Sequence, residues 1–103
     1  MEKVKYRMAT TKEYKDFILE QLSFAEDITV KPMMGEYLLY KRGVLFGGVY
    51  DNRLLVKITE SNKKYNMATS VPYDGAKPMY LVHDLDDKEI LKNIVFDTYK
   101  GLL

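Results

Sequence analysis

The stretch from Ile28 to Ile58 limits the possible folds more than any other part of the chain, because it packs three or four short apolar runs between tight-turn signals. Ile28-Thr29-Val30-Lys31-Pro32-Met33-Met34-Gly35 leads into Tyr37-Leu38-Leu39-Tyr40. Arg42-Gly43 then turns the chain into Val44-Leu45-Phe46-Gly47-Gly48-Val49-Tyr50, and Asp51-Asn52 turns it again into Arg53-Leu54-Leu55-Val56-Lys57-Ile58. Runs this short, rich in β-branched and aromatic residues and separated by Gly, Asn and Asp, read as antiparallel hairpins.

The hairpins predict faces as well as strands. As a two-residue loop, Asp51-Asn52 sets Val49 opposite Leu54, Gly47 opposite Val56 and Leu45 opposite Ile58. Arg42-Gly43, taken the same way, adds Tyr40 and Leu38 to that side, which is then wholly apolar or glycine. The opposite side carries Tyr37, Leu39, Val44, Phe46, Gly48, Tyr50 and Leu55, with Lys41, Arg53 and Lys57 near its margins. A sheet with one face in water should alternate apolar and polar residues. This one does not, so the second face needs a cover: the second helix, a long loop or another subunit. Tyr37, Leu39, Phe46, Tyr50 and Leu55 form the candidate interface, and an apolar patch of that size predicts a two-fold homodimer through this face or a neighbouring strand edge.

Helices are expected at both ends. Thr10-Thr11-Lys12-Glu13 has capping-box spacing, followed by the apolar stripe Tyr14, Phe17, Ile18, Gln21, Leu22 and Ala25. Asp86-Asp87-Lys88-Glu89 repeats that spacing before Ile90, Leu91, Ile94, Val95 and Thr98-Tyr99, with Gly101 as the C-cap. Residues 59–78 look loop-like for some twenty positions, long enough to suggest a hidden short helix or a functional loop. Met79-Tyr80-Leu81-Val82 reads as a last strand. The expected fold is α+β: a mostly antiparallel sheet of about five strands, flanked by an N-terminal and a C-terminal helix, in the order α-β-β-β-β-loop-β-α.

A chain of 103 residues is expected to form one domain, spanning residues 1–103. Hydrophobic residues at 47% and charged residues at 30% exclude disorder. The chain contains no cysteine, which removes disulfides, thiolate metal sites and cysteine nucleophiles together. No apolar run approaches the roughly 20 residues of a membrane span, and the segment Met1 to Arg7 lacks the apolar stretch of a secretory signal. A cytoplasmic protein with no membrane association is expected.

Charge is unevenly spread. Residues 28–78 hold eight basic and four acidic side chains, whereas both ends are net acidic. The candidate basic patch is Lys41, Arg42, Arg53, Lys57, Lys63 and Lys64. With Lys31, these cations interleave with Tyr6, Tyr37, Tyr40, Phe46, Tyr50, Tyr65, Tyr73 and Tyr80, a mixture on which single-stranded nucleic acid could stack. A pI near 7.8 is low for a dedicated duplex binder, and tyrosine serves protein interfaces equally well. Protein contacts are the favoured reading and nucleic acid the alternative.

Catalytic signals are sparse. His83 is the single histidine, and its neighbour Asp84 should point to the other face of the strand. Asp84, Asp86, Asp87 and Glu89 lack the spacing of a calcium loop and suit a helix N-terminus instead. Gly47-Gly48 lacks the strand-loop-helix setting of a phosphate loop, so a bulge, or room for a bulky side chain crossing the sheet, is expected there. No catalytic residue, metal ligand or cofactor is assigned, and a small enzyme is the least favoured class.

Val30-Lys31-Pro32-Met33-Met34-Gly35-Glu36-Tyr37-Leu38-Leu39-Tyr40, with Val44-Leu45-Phe46-Gly47 and Arg53-Leu54-Leu55-Val56-Lys57, resembles the TfoX N-terminal domain of the bacterial TfoX/Sxy competence regulators. Val71-Pro72-Tyr73, Met79-Tyr80-Leu81-Val82 and Asp86 to Tyr99 occupy the later positions of that pattern, so the resemblance runs from about Glu13 to Tyr99. It implies a single-domain member without the C-terminal helical domain of larger relatives. It also implies a structural role for the glycine hairpin, and a non-enzymatic regulatory or adaptor function exerted through an unidentified protein partner.

Overall fold

The computed structural model describes residues 9–103. The basic N-terminal segment and Tyr6 lie outside the described residues. Helix α1 (Lys12–Gln21) continues into a 3₁₀ turn at Leu22–Phe24, and then come β1 (Ile28–Met33), β2 (Glu36–Lys41), β3 (Val44–Val49) and β4 (Leu54–Val56). The stretch read as a loop contains a 3₁₀ segment, Glu60–Tyr65, and a short strand, β5 (Ala68–Ser70), before β6 (Met79–Leu81) and α2 (Lys88–Gly101). All strand pairs are antiparallel in the order β1-β2-β3-β4-β6-β5, so the α+β expectation holds with six strands instead of five.

Three two-residue loops build the meander. Met34-Gly35, Arg42-Gly43 and Asp51-Asn52 all have positive φ at both positions, which is the type I′ geometry that matches strand twist. The last loop gives the expected register, with Val49 opposite Leu54 and Gly47 opposite Val56.

The middle hairpin departs from the regular register and carries the bulge expected at Gly47-Gly48. It starts in register, Lys41 with Val44 and Tyr40 with Leu45, but then Leu39 pairs with Gly47 and Tyr37 with Val49. One extra residue in β3 is a β-bulge, which inverts the faces of β2 relative to the rest of β3. Gly47 makes the bulge possible: a Cβ there would lie 2.2 Å from the Leu55 carbonyl oxygen and 3.0 Å from Val56 Cα.

The bulge corrects the predicted faces. Leu39 and Phe46, both fully buried, join Val49, Leu54 and Val56 in one core with Ile18, Leu22, Leu91, Ile94 and Val95. Both helices therefore cover the same face, and Tyr37 packs against that core as well. Leu38 and Tyr40, expected inside, fall on the other face beside Gly48 and Leu55. The five residues of the candidate interface are thus divided between two faces, and four of them are buried within the chain. Full burial of side chains such as Phe46 and Leu39 contributes about 1.5–3 kcal/mol each.

Both helix caps sit one residue later than read. The Thr11 hydroxyl accepts from the Tyr14 amide at 3.1 Å, and Asp87 Oδ1 accepts from the Ile90 amide at 3.1 Å. Thr10 is occupied elsewhere: its hydroxyl donates to Glu36 Oε1 at 2.8 Å and accepts from the Asn52 amide at 3.1 Å. Gly101 is the last residue of α2, not a left-handed cap. A Cβ on it would stand 2.5 Å from Thr59 Oγ1, so glycine permits the helix to approach the 3₁₀ segment.

Buried Asn62 fastens that contact. It donates to the Lys57 carbonyl and to Thr98 Oγ1, both at 2.8 Å, and accepts from the Thr59 amide at 3.0 Å. A fully buried amide with these partners carries little unmet desolvation cost and specifies one packing arrangement.

Candidate binding surfaces

Arg53 organises the face away from the helices. It precedes Leu54, whose side chain is in the core, so strand alternation sends Arg53 outward. Its Nε donates to the Tyr50 carbonyl at 3.1 Å and its Nη1 to Ser70 Oγ at 2.6 Å. Nη1 and Nη2 also reach the Val71 and Pro72 carbonyls at 3.2 Å each. A guanidinium offers a rigid fork of five donors, and here it clamps the start of the 71–78 loop onto the sheet.

Tyr50 and Tyr73 complete this cover. The Tyr50 ring lies over Gly48, where a Cβ would come within 2.7 Å of it. Tyr73 packs against Tyr50 with ring centroids 6.3 Å apart. Leu55, fully buried yet outside the helix-facing core, is shielded on this side. Burial, followed by the neighbouring Tyr73, pushes the Tyr50 hydroxyl pKa up and keeps it a neutral donor. The second face is covered in part by the chain's own loop, one of the three covers expected.

Beside this loop a cleft of about 680 Å³ opens, walled by Leu45, Tyr50, Ile58, Tyr73, Pro78 and Met79. Lys57 and Lys77 also line it, and neither has an ion-pair partner among the described residues. On the helix side, a smaller groove of about 390 Å³ runs between the 3₁₀ turn and α2. Phe24 and Phe96 line it with 52% and 48% of their surface exposed, high for two phenylalanines sharing one depression. Lys88 lies over the Phe24 ring and Lys100 over the Phe96 ring, each 5.7 Å from the centroid.

The candidate basic patch does not assemble. Lys41 is buried on the helix side, where its Nζ donates to the Glu26 carbonyl at 2.7 Å and sits 5.7 Å from the Tyr99 ring centroid. Arg42 stands in a turn beside Asp27, at 3.5 Å, and Arg53 is spent on the loop at the opposite end of the sheet. Lys63 pairs with Glu60 at 2.8 Å and Lys64 with Asp97 at 3.1 Å, both on the 3₁₀ segment packed against α2. Lys57 lines the cleft beside the 71–78 loop, whereas Lys41 and Arg42 line the groove on the helix side.

Tyr65 donates to Asp97 Oδ2 at 2.5 Å. Burial, reinforced by that hydrogen bond and the carboxylate charge, pushes the Tyr65 pKa up to about 12. Burial disfavours the Asp97 carboxylate, but the bonds from Tyr65 and Lys64 outweigh it and hold its pKa below the usual value. This trio ties the 3₁₀ segment to α2.

His83 is exposed at the junction before α2, and Asp87 caps the helix as acids there were expected to do. Among the described residues, no group of three His, Cys, Asp or Glu side chains could hold a metal ion, and no helix is long and apolar enough to cross a membrane. Phe24, Phe96 and Lys77 were missed in the sequence reading. The only signal for the two phenylalanines was that they fall off the apolar stripes of their helices.

A family model described as the TfoX N-terminal domain matches residues 20–100, which leaves most of α1 outside the match. A curated relative named "Uncharacterized 12.7 kDa protein in trpE 5'region", from Spirochaeta aurantia, is 34% identical over 80 residues, covering 76% of this chain and 70% of the relative. No solved structure matches the chain significantly.

Proposed function

Because the chain belongs to the TfoX N-terminal domain family, we propose that it is a non-enzymatic regulatory or adaptor domain, linked to transcriptional or competence control through protein contacts. The observation that carries this reading is the Phe24–Phe96 groove. Aromatic side chains are enriched in protein interfaces, and two half-exposed phenylalanines in one depression offer the apolar anchor that binding energy concentrates on. Arg42 and Lys92 line the same groove, and Lys88 and Lys100 lie over the two phenylalanine rings. Self-association through the face first expected loses its surface, since Leu39 and Phe46 are internal.

The test compares the parent with a Phe24→Ser, Phe96→Ser double variant. Both positions are exposed, so the fold should persist by circular dichroism. Proteins retained from native lysate by the parent and lost by the variant are identified by mass spectrometry, then purified and titrated against both forms. Loss of both phenylalanines should weaken a direct complex at least tenfold, about 1.4 kcal/mol or more, as expected for interface anchors. Equal retention by parent and variant would sink the reading.

A further inference from the structure

The cleft beside the 71–78 loop is separate from the Phe24–Phe96 groove. We infer that it is a binding site for a small amphipathic monocarboxylate, an anionic head on an aliphatic or aromatic body. Its volume of about 680 Å³ falls within the range of small-molecule sites, roughly 300–1,000 Å³. Its walls are mainly apolar, from Leu45, Ile58, Pro78 and Met79. Ile58 stays 39% exposed, an apolar surface that a ligand body would cover.

The charge pattern selects the head group. Lys57 and Lys77 line the same cleft and have no acidic partner among the described residues, so the site has cationic character without internal compensation. Lysine ammonium groups act as point charges, and beside an apolar wall they suit the anionic head of an amphipath such as a monocarboxylate. The nearby guanidinium of Arg53 adds no bidentate contact to such a head, because it is used up on Ser70, Val71 and Pro72. That clamp also fixes the start of the loop, which reduces the ordering cost of binding.

Isothermal titration with three probes of equal chain length tests the site: decanoate, decanol and decyltrimethylammonium. Decanoate should bind one to one with a dissociation constant on the order of 0.1 mM, with decanol at least about tenfold weaker and the cation showing no saturable binding. Lys57→Gln with Lys77→Gln should weaken decanoate at least about tenfold and leave decanol unchanged. Leu45→Trp, which fills the cleft, should abolish binding of decanoate, with circular dichroism confirming the fold of each variant. Decanol binding as tightly as decanoate, an unchanged decanoate affinity in the lysine variant, or no saturable decanoate binding overturns the inference.

Discussion

Gly47→Ala tests the bulge on which the arrangement of the sheet depends. In an unbulged hairpin Gly47 would sit in a regular strand, and alanine would stabilise by roughly 0.5–1 kcal/mol through reduced backbone entropy in the unfolded chain. In the bulged sheet the new Cβ meets the Leu55 carbonyl oxygen at 2.2 Å and Val56 Cα at 3.0 Å, both backbone atoms of β4. No side-chain rotation can relieve that contact, so β3 and β4 must separate by about an ångström to restore ordinary van der Waals distances. The flanking bonds stretch with them, including the one from the Lys57 amide to the Phe46 carbonyl at 2.8 Å. Weakening two or three buried ladder bonds, at about 1–3 kcal/mol for each buried group left unmade, gives a loss of about 3–5 kcal/mol. A chain of this size holds only about 5–15 kcal/mol in total. Thermal melting by circular dichroism should therefore fall by more than about 12 °C, at roughly 4–8 °C per kcal/mol. A variant that melts at or above the parent's temperature would refute the bulged register and restore the regular hairpin.

Two further predictions follow from the packing of α2. Helix propensity favours Gly101→Ala by about 1 kcal/mol, but its Cβ would displace Thr59, whose hydroxyl caps the 3₁₀ segment at a cost of about 0.5–2 kcal/mol if lost. Chemical denaturation should show net destabilisation, and a stabilised variant would place α2 farther from Thr59. The second prediction concerns pH. Tyr65 has a folded pKa near 12 against an unfolded value near 10, so its contribution is complete below pH 10 and is lost as pH rises through 12. Stability measured from pH 9 to 12 should fall less steeply in Tyr65→Phe than in the parent, and parallel curves would contradict the Tyr65–Asp97 bond.

The residues of the outer-face site were individually legible, but their meeting was not. Tyr50, Arg53 and Lys57 stood out as aromatic or basic residues, yet Arg53 finds its partners largely in the Val71 and Pro72 carbonyls, and a carbonyl gives no sequence signal. The basic patch failed for a related reason. Six cations close in sequence are spread by a meander over opposite ends and faces of a sheet, where Glu26, Asp27, Glu60 and Asp97 engage four of them.

Local rules were enough for everything whose cause lies within a few residues. Turn chemistry at Asp51-Asn52 set one register, apolar spacing at 3.6 residues marked both helices, and the motifs from Val30 to Lys57 carried the family. The tertiary structure decided which face each strand residue takes. That choice has a period of two, so a single extra residue reverses it, and the extra residue here depends on how closely β4 approaches Gly47. Thr10 and Gly101 follow the same logic: Glu36, Asn52 and Thr59, which set their roles, lie more than twenty residues away in the chain. The sequence alone was enough for the turns, both helices and the main strands because their energies are local, but not for β5, which the pairing with β6 creates. Faces, caps and clefts are settled by contacts between segments that only folding brings together.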